Sequence, residues 1–338
     1  MSVIRTEIHQ VDVVNSKLTI EIIDNQSNTN GLPALLLCHG LASNRLMLRE
    51  CALNLHSKYY FPVCLVDLRG HGDSSTTTIG NDGFSLSQNA DDVISLVLFL
   101  RKLQSVSASW QSPIIFCGHS YGGNAVVEIA YKYPSYTKGI ICIDGGFINL
   151  AELYSNYAEC ELHLKPPSFE GMTLGDLDIA LRDKWCVGWS EVSLQAMKNN
   201  FSLIKTLGIM SCCPGAPNGY VNDNAEENKS FWLITPKLSL ERHLLLLQDL
   251  YFNSPVSKFP LIKCPVLFIA AGDGGGTFFS ANKAKDIATA VSLIPALSKV
   301  EWFPDSPHDV ITLYPSETAD VIYASISYFF EGKDPSII

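Results

Sequence analysis

Gly118-His119-Ser120-Tyr121-Gly122 stands between a short apolar run, Ile114 to Cys117, and a stretch with Val126, Ile129, Ala130 and Tyr133 at helical spacing. A G-x-S-x-G pattern in that setting describes a sharp strand-to-helix turn that leaves a serine Oγ in the open. The strained backbone of such a turn needs small neighbours, and Gly118, Gly122 and Gly123 supply them. The helix that follows points its first N–H groups towards the serine, which favours negative charge developing on an oxygen held there. Glycines also flank serines at ordinary turns, so the weight of the motif depends on its surroundings.

Working outward, Val3 to Val13 and Lys17 to Ile23 read as paired strands, with a polar breaker from Asn25 to Gly31 behind them. Further strand-like runs are Ala34 to Cys38, Val63 to Asp67, Ile114 to Cys117, Ile140 to Asp144, Val266 to Ala270 and Val300 to Phe303. Several are apolar throughout, which implies burial on both faces. Between them Ser85 and Gln88 form a possible capping box, followed by Ala90, Val93, Ile94, Val97, Leu98 and Leu100 at helical spacing. The alternation predicts an α/β fold with a mostly parallel sheet and helices on both faces.

That alternation stops after Asp144 and resumes at Val266. The intervening stretch carries Trp185, Trp189 and Trp232, helical runs at Leu177 to Trp185 and Leu238 to Leu250, and a loop-rich segment from Cys212 to Asn224. It is read as an inserted helical lid over 150–258, with 1–149 and 259–338 forming the core. No fixed-period repeat or low-complexity tract argues for a solenoid or linker.

The chain has 338 residues, 34 acidic against 24 basic side chains, and a formal net charge of -10. That balance argues against nucleic acid and anionic membrane surfaces as partners. Only 17% of residues are charged and 47% are apolar, enough for a large core and too much for general disorder. No apolar run approaches the roughly 18 residues of a membrane helix. Arg5, Glu7 and His9 interrupt the start where a leader would be apolar, so no secretory signal is expected. Ten cysteines lack metal-type spacing, and Cys38, Cys64, Cys117, Cys142 and Cys264 sit in or beside apolar runs. Reduced thiols in a cytoplasmic protein are the expectation, although adjacent Cys212 and Cys213 leave a vicinal disulfide open.

Two more motifs accompany the serine. His39-Gly40-Leu41 ends one strand and Asp67-Leu68-Arg69-Gly70-His71-Gly72-Asp73-Ser74, assigned to a loop, ends the next. In this order the three motifs resemble the α/β-hydrolase superfamily, in its lid-bearing serine hydrolase branch, over nearly the whole chain. The resemblance implies an eight-stranded sheet and a catalytic triad in chain order Ser, Asp or Glu, His. It implies Ser120 as nucleophile, the Tyr121 and Leu41 N–H groups as oxyanion hole, and no metal or organic cofactor. Haloalkane dehalogenases and most epoxide hydrolases of this fold carry Asp where Ser120 stands.

A serine hydroxyl needs a base within hydrogen-bond reach and an acid to orient that base. Of eight histidines, His9 lies in the first strand, His39, His71 and His119 belong to the motifs, and His56 precedes the second. His163 and His243 fall in the insertion, and only His308 follows the final strand, where the resemblance places the base. The usual position of the acid, just past the strand Val266 to Ala270, holds Asp273. There Ala270 replaces a customary glycine and Gly274 to Gly276 make a flexible holder. Asp144 is the alternative, since some relatives use that position. A turn-capping role in Asp144-Gly145-Gly146 is the other account of it.

The expected reaction is cleavage of an ester, thioester or similar acyl bond of a small apolar molecule. His39, Trp185, Trp189 and Trp232, with Phe201, are substrate-binding candidates, although tryptophans in an insertion serve equally well as its packing core. Perhydrolase, carbon-carbon hydrolase and acyltransferase chemistry stay open, as does a small-molecule receptor built on the same scaffold. The sequence gives no oligomeric state.

Overall fold

In the computed structural model, the described residues are 5–24, 31–76, 83–169, 172, 174–186, 189–207, 230–272 and 280–331. Strands β1 (Thr6–Val13) and β2 (Ser16–Ile23) form an antiparallel pair, and β3 (Leu35–Cys38) and β4 (Val63–Val66) a parallel one. The short β5 (Ser75–Thr76) pairs with β2, and β6 (Ile114–His119) and β7 (Thr137–Ile143) run parallel beside β3. After the insertion, which contains β8 (Phe201–Leu207) and β9 (Ser230–Pro236), come β10 (Val266–Ala271) and β11 (Ser298–Phe303). The sheet order is β1-β2-β4-β3-β6-β7-β10-β11, with β5 off this path. All contacts from β4 to β11 along it are parallel, so the expected eight-strand, mostly parallel sheet is present.

Continuous apolarity in the central strands has the cause expected of it. Leu36, Cys38, Phe116, Cys142 and Phe268 enter one core cluster, while their neighbours Leu35, Leu37, Ile115, Ile141 and Leu267 enter another. Because successive side chains alternate in direction, the sheet is covered on both faces and must be apolar at every position. Helices Leu86–Leu100 and Tyr121–Lys132 bury their apolar residues in the first cluster, and Arg49–Tyr59 and Pro315–Glu331 contribute to the second. Half of the expected capping box forms: Ser85 Oγ accepts from the Gln88 N–H at 3.1 Å, whereas the Gln88 amide donates to Asp92 Oδ1 at 3.0 Å.

The insertion departs from the all-helical expectation. β8 and β9 pair antiparallel, from Phe201 opposite Pro236 to Leu207 opposite Ser230, in a sheet of their own. The insertion also packs in two ways. Leu150, Cys160, Leu246, Leu247 and Leu250 join the main core cluster, but Leu177, Leu181, Cys186 and Leu194 form a separate one with Met172, Trp189, Met197 and Phe201. Asn44 ties that second unit to the core, its Nδ2 donating to the Ala196 carbonyl and to Asn200 Oδ1, both at 2.8 Å. Among the described residues no helix is long and apolar enough to cross a membrane. The eight described cysteines are free and buried, and Cys212 and Cys213 lie outside the described residues.

Candidate active site

The C-terminal edge of the parallel strands is where a sheet of this kind places ligands, because the chain leaves every strand there in loops. Ser120 follows β6, Asp144 follows β7 and His308 lies in the loop after β11. Ser120 has φ 55 and ψ -120, a left-handed conformation rare for a residue with a side chain, and caps helix Tyr121–Lys132. Its N–H is held by the Ile143 carbonyl at 2.9 Å. A Cβ at Gly118 would meet the Gly122 backbone, and one at Gly122 would meet the Cys38 and His39 carbonyls. Both glycines are therefore set by close approach of backbone to backbone.

His308 joins the other two side chains. Its Nε2 lies 2.8 Å from Ser120 Oγ and its Nδ1 lies 2.7 Å from Asp144 Oδ2. In the tautomer that satisfies both, Ser120 donates to Nε2 and Nδ1–H donates to Asp144. The His308 side chain is 23% exposed and that of Asp144 is 1% exposed. Burial pulls the His308 pKa down, but the Asp144 hydrogen bond and the charges of Asp309 and Asp144 outweigh it, so the value is raised above 6.5. Burial likewise pushes Asp144 up, and the His308 and Lys283 contacts overcome it, holding the carboxyl below its ordinary value.

Asp144 has φ 40, again left-handed, and its N–H donates to the Ile269 carbonyl at 2.7 Å. Its carboxylate meets His308, Lys283 and the Ala271 N–H. Asp273, the preferred acid in the sequence, lies outside the described residues. Among the described residues, His308 Nδ1 is paired with the alternative candidate, Asp144.

The other expected residues divide. Leu41, Ser120 and Tyr121 line one chamber of about 170 Å³ with Ile148, Leu150, Leu164, His243, Leu247 and Leu250. The first backbone N–H groups of a helix have no partner within it, and Tyr121 is the first residue of its helix. The Tyr121 phenol is turned away, accepting from Asn89 Nδ2 at 2.8 Å. His39 does not fit a substrate contact: its Nε2 accepts from the Leu68 N–H at 3.0 Å and its Nδ1 donates to the Gly40 carbonyl at 2.8 Å. Trp189 packs in the second unit of the insertion, so it serves the core of that unit. The side chains of Trp185 and Trp232 lie outside the described residues.

The acidic motif is structural. Asp67 accepts from the Arg45 N–H at 2.6 Å and the Asp73 N–H at 2.9 Å and pairs with the Arg45 guanidinium. Arg69 makes a two-point contact with Asp92 at 2.9 and 2.7 Å. Together they brace the loops beside the serine. The sequence did not single out the aliphatic chamber wall, although the Leu244 to Leu247 run in helix Leu240–Phe252 was a visible signal. A second chamber of about 530 Å³, lined by His71, Lys165, Phe169, Phe201, Lys237 and Leu238 among others, shares His243 with the first.

The family described as serine aminopeptidase, S33, matches residues 32–190. The 2-(acetamidomethylene)succinate hydrolase of Mesorhizobium japonicum is 27% identical over 135 residues, 40% of this chain and 41% of that protein. A probable alcohol acetyltransferase of Saccharomyces cerevisiae is 30% identical over 118 residues, 35% of this chain and 32% of that one. The chain thus spans well under half the length of these two relatives. The crystal structure of E-2-(acetamidomethylene)succinate hydrolase superposes with a TM-score of 0.67 at 19% identity, covering 97% of this chain and 100% of its own.

Proposed function

We propose that this chain, which has the fold of the α/β-hydrolases and matches the serine aminopeptidase, S33, family over residues 32–190, is a serine hydrolase cleaving an ester or related acyl bond through an acyl-serine intermediate. The observation that carries this reading is the unbroken relay from Ser120 Oγ to His308 Nε2 at 2.8 Å and from His308 Nδ1 to Asp144 Oδ2 at 2.7 Å. Ser120 attacks the acyl carbon as His308 Nε2 takes its proton, and Asp144 stabilises the imidazolium that forms. The tetrahedral oxygen is held by the N–H groups of Tyr121 and Leu41. His308 returns the proton to the leaving group, then takes one from water as that water attacks the acyl carbon, and passes it to Ser120 Oγ as the acid product departs.

The substrate class follows from the chambers. Ile148, Leu150, Leu164, Leu247 and Leu250 offer an apolar seat of about 170 Å³, close to the roughly 150 Å³ that takes a benzene-sized group. We assign the acyl group to it, and the leaving group to the larger chamber beyond His243. The separately packed unit around Leu177 to Phe201 is the part of the insertion that moves as a lid, since its core is not shared with the sheet. Transfer of the acyl group to an alcohol in place of water is the second reading, favoured by the likeness to the yeast protein named as an acetyltransferase. A panel of esters of graded acyl length, assayed with and without a small alcohol, tests both. Short acyl esters should turn over in water, and loss of all turnover in both arms would refute the enzyme reading.

A further inference from the structure

Asp144 has a cationic neighbour in addition to the His308 ring. Lys283, on helix Ser280–Leu293, sets its Nζ 2.8 Å from Asp144 Oδ1, 2.9 Å from Oδ2 and 3.0 Å from the Ala271 carbonyl oxygen. An ammonium has three donors and no acceptor, so these contacts satisfy it. The Ala271 N–H adds a further hydrogen bond to Asp144 Oδ1 at 3.0 Å. The Lys283 side chain is 3% exposed. Burying a cation is costly unless it is paired, and an aliphatic side chain would fill the space without that cost. A charge retained there calls for a role that methionine could not perform.

We infer that Lys283 is a positioning residue of the triad, holding Asp144 against His308 and setting the pH range in which His308 is free to accept a proton. This rests on the triad reading above. Facing His308 are Asp144 from the end of β7, His119 from the end of β6, Ser120 from the turn after it, and Asp309 from its own loop. Asp144 and Asp309 favour protonation of the imidazole, and Lys283 opposes it. Burial lowers the His119 pKa from its ordinary value, whereas that of His308 is raised. With Lys283 in place the carboxylate still orients the ring, but its pull on the ring's proton is partly cancelled. The acid limb then belongs to the Asp144–His308 pair with Lys283 beside it.

The test is the rate of Ser120 labelling by a fluorophosphonate against pH, in the wild type and in Lys283→Met. Removing the cation should move the acid limb upward by about one pH unit. The charge-retaining Lys283→Arg should return the limb towards the wild-type position. A limb that stays within about 0.2 units in Lys283→Met overturns the inference and leaves Lys283 a packing residue. Should Lys283→Met not fold, the pair Asp144→Asn and Asp144→Asn/Lys283→Met decides, with His308 titrated directly by NMR. The double variant, which has no unpaired buried cation, should titrate higher than the single one, and equal values overturn the inference. Absence of any labelling in the wild type would instead remove the triad reading, and the NMR comparison does not depend on turnover.

Discussion

The His119 ring lies against His308 with centroids 4.8 Å apart, and His119 Nε2 donates to the His308 carbonyl oxygen at 3.0 Å. The residue that precedes Ser120, at the end of β6, therefore grips the backbone of the loop that carries His308. Two segments separated by 189 positions are locked to each other beside Ser120.

His119→Ala is accordingly expected to lower kcat/KM by about ten- to a hundredfold, because small displacements of a base are costly in rate. His119→Gln keeps an N–H donor and should recover much of the loss. A wild-type rate in His119→Ala would show that the loop holds His308 without it.

The acid is tested by making each candidate aspartate an asparagine. Asp144→Asn should lower kcat by about ten-thousandfold, since the amide favours the wrong tautomer and no longer stabilises the imidazolium. Asp273→Asn should stay within about tenfold of the wild type. The reverse pattern in steady-state rates would return the acid to Asp273.

The pH dependence has a definite sign. In the proposed mechanism His308 acts as a base only when neutral, and its pKa is raised above 6.5. Activity must therefore rise with pH along an acid limb centred above that value. Asp144→Asn removes the hydrogen bond and the charge that raise it, so the residual activity of that variant should have its limb shifted to lower pH. A pH–kcat/KM profile whose limb moves upward on this substitution contradicts the assignment.

Leu247 lines the small apolar chamber that also holds Ser120. Leu247→Phe should reduce turnover of longer acyl esters by about tenfold or more while sparing acetyl esters, as the difference of a few methylenes in a closed pocket allows. Relative kcat/KM over an ester series measures it, and an unchanged ratio would place the acyl group elsewhere.

The sheet was legible in the sequence because strands buried on both faces leave unbroken apolar runs, as in Leu35 to Cys38 and Val266 to Ala271. Ser120 was legible because its turn excludes side chains at Gly118 and Gly122, which fixes a local pattern. The pairing of β8 with β9 was not, since neither is an unbroken apolar run: Ser202, Lys205 and Thr206 interrupt the first and Ser230 and Thr235 the second. Lys283 carried no signal at all: a lysine on an amphipathic helix reads as a solvent-facing residue until a buried carboxylate is found against it. Asp144 and Asp273 could not be ranked from the sequence for a related reason. Both follow sheet strands, and reach to a distant loop is a property of the folded sheet.

The central claim is that Ser120 is an activated nucleophile. Its most direct test is the intact mass and peptide map of the protein after treatment with a fluorophosphonate, beside Ser120→Ala. The wild type should take up one equivalent on the peptide containing Ser120, and Ser120→Ala should stay folded and unlabelled. Equal labelling of the two proteins, or a wild type that stays unmodified, would contradict it.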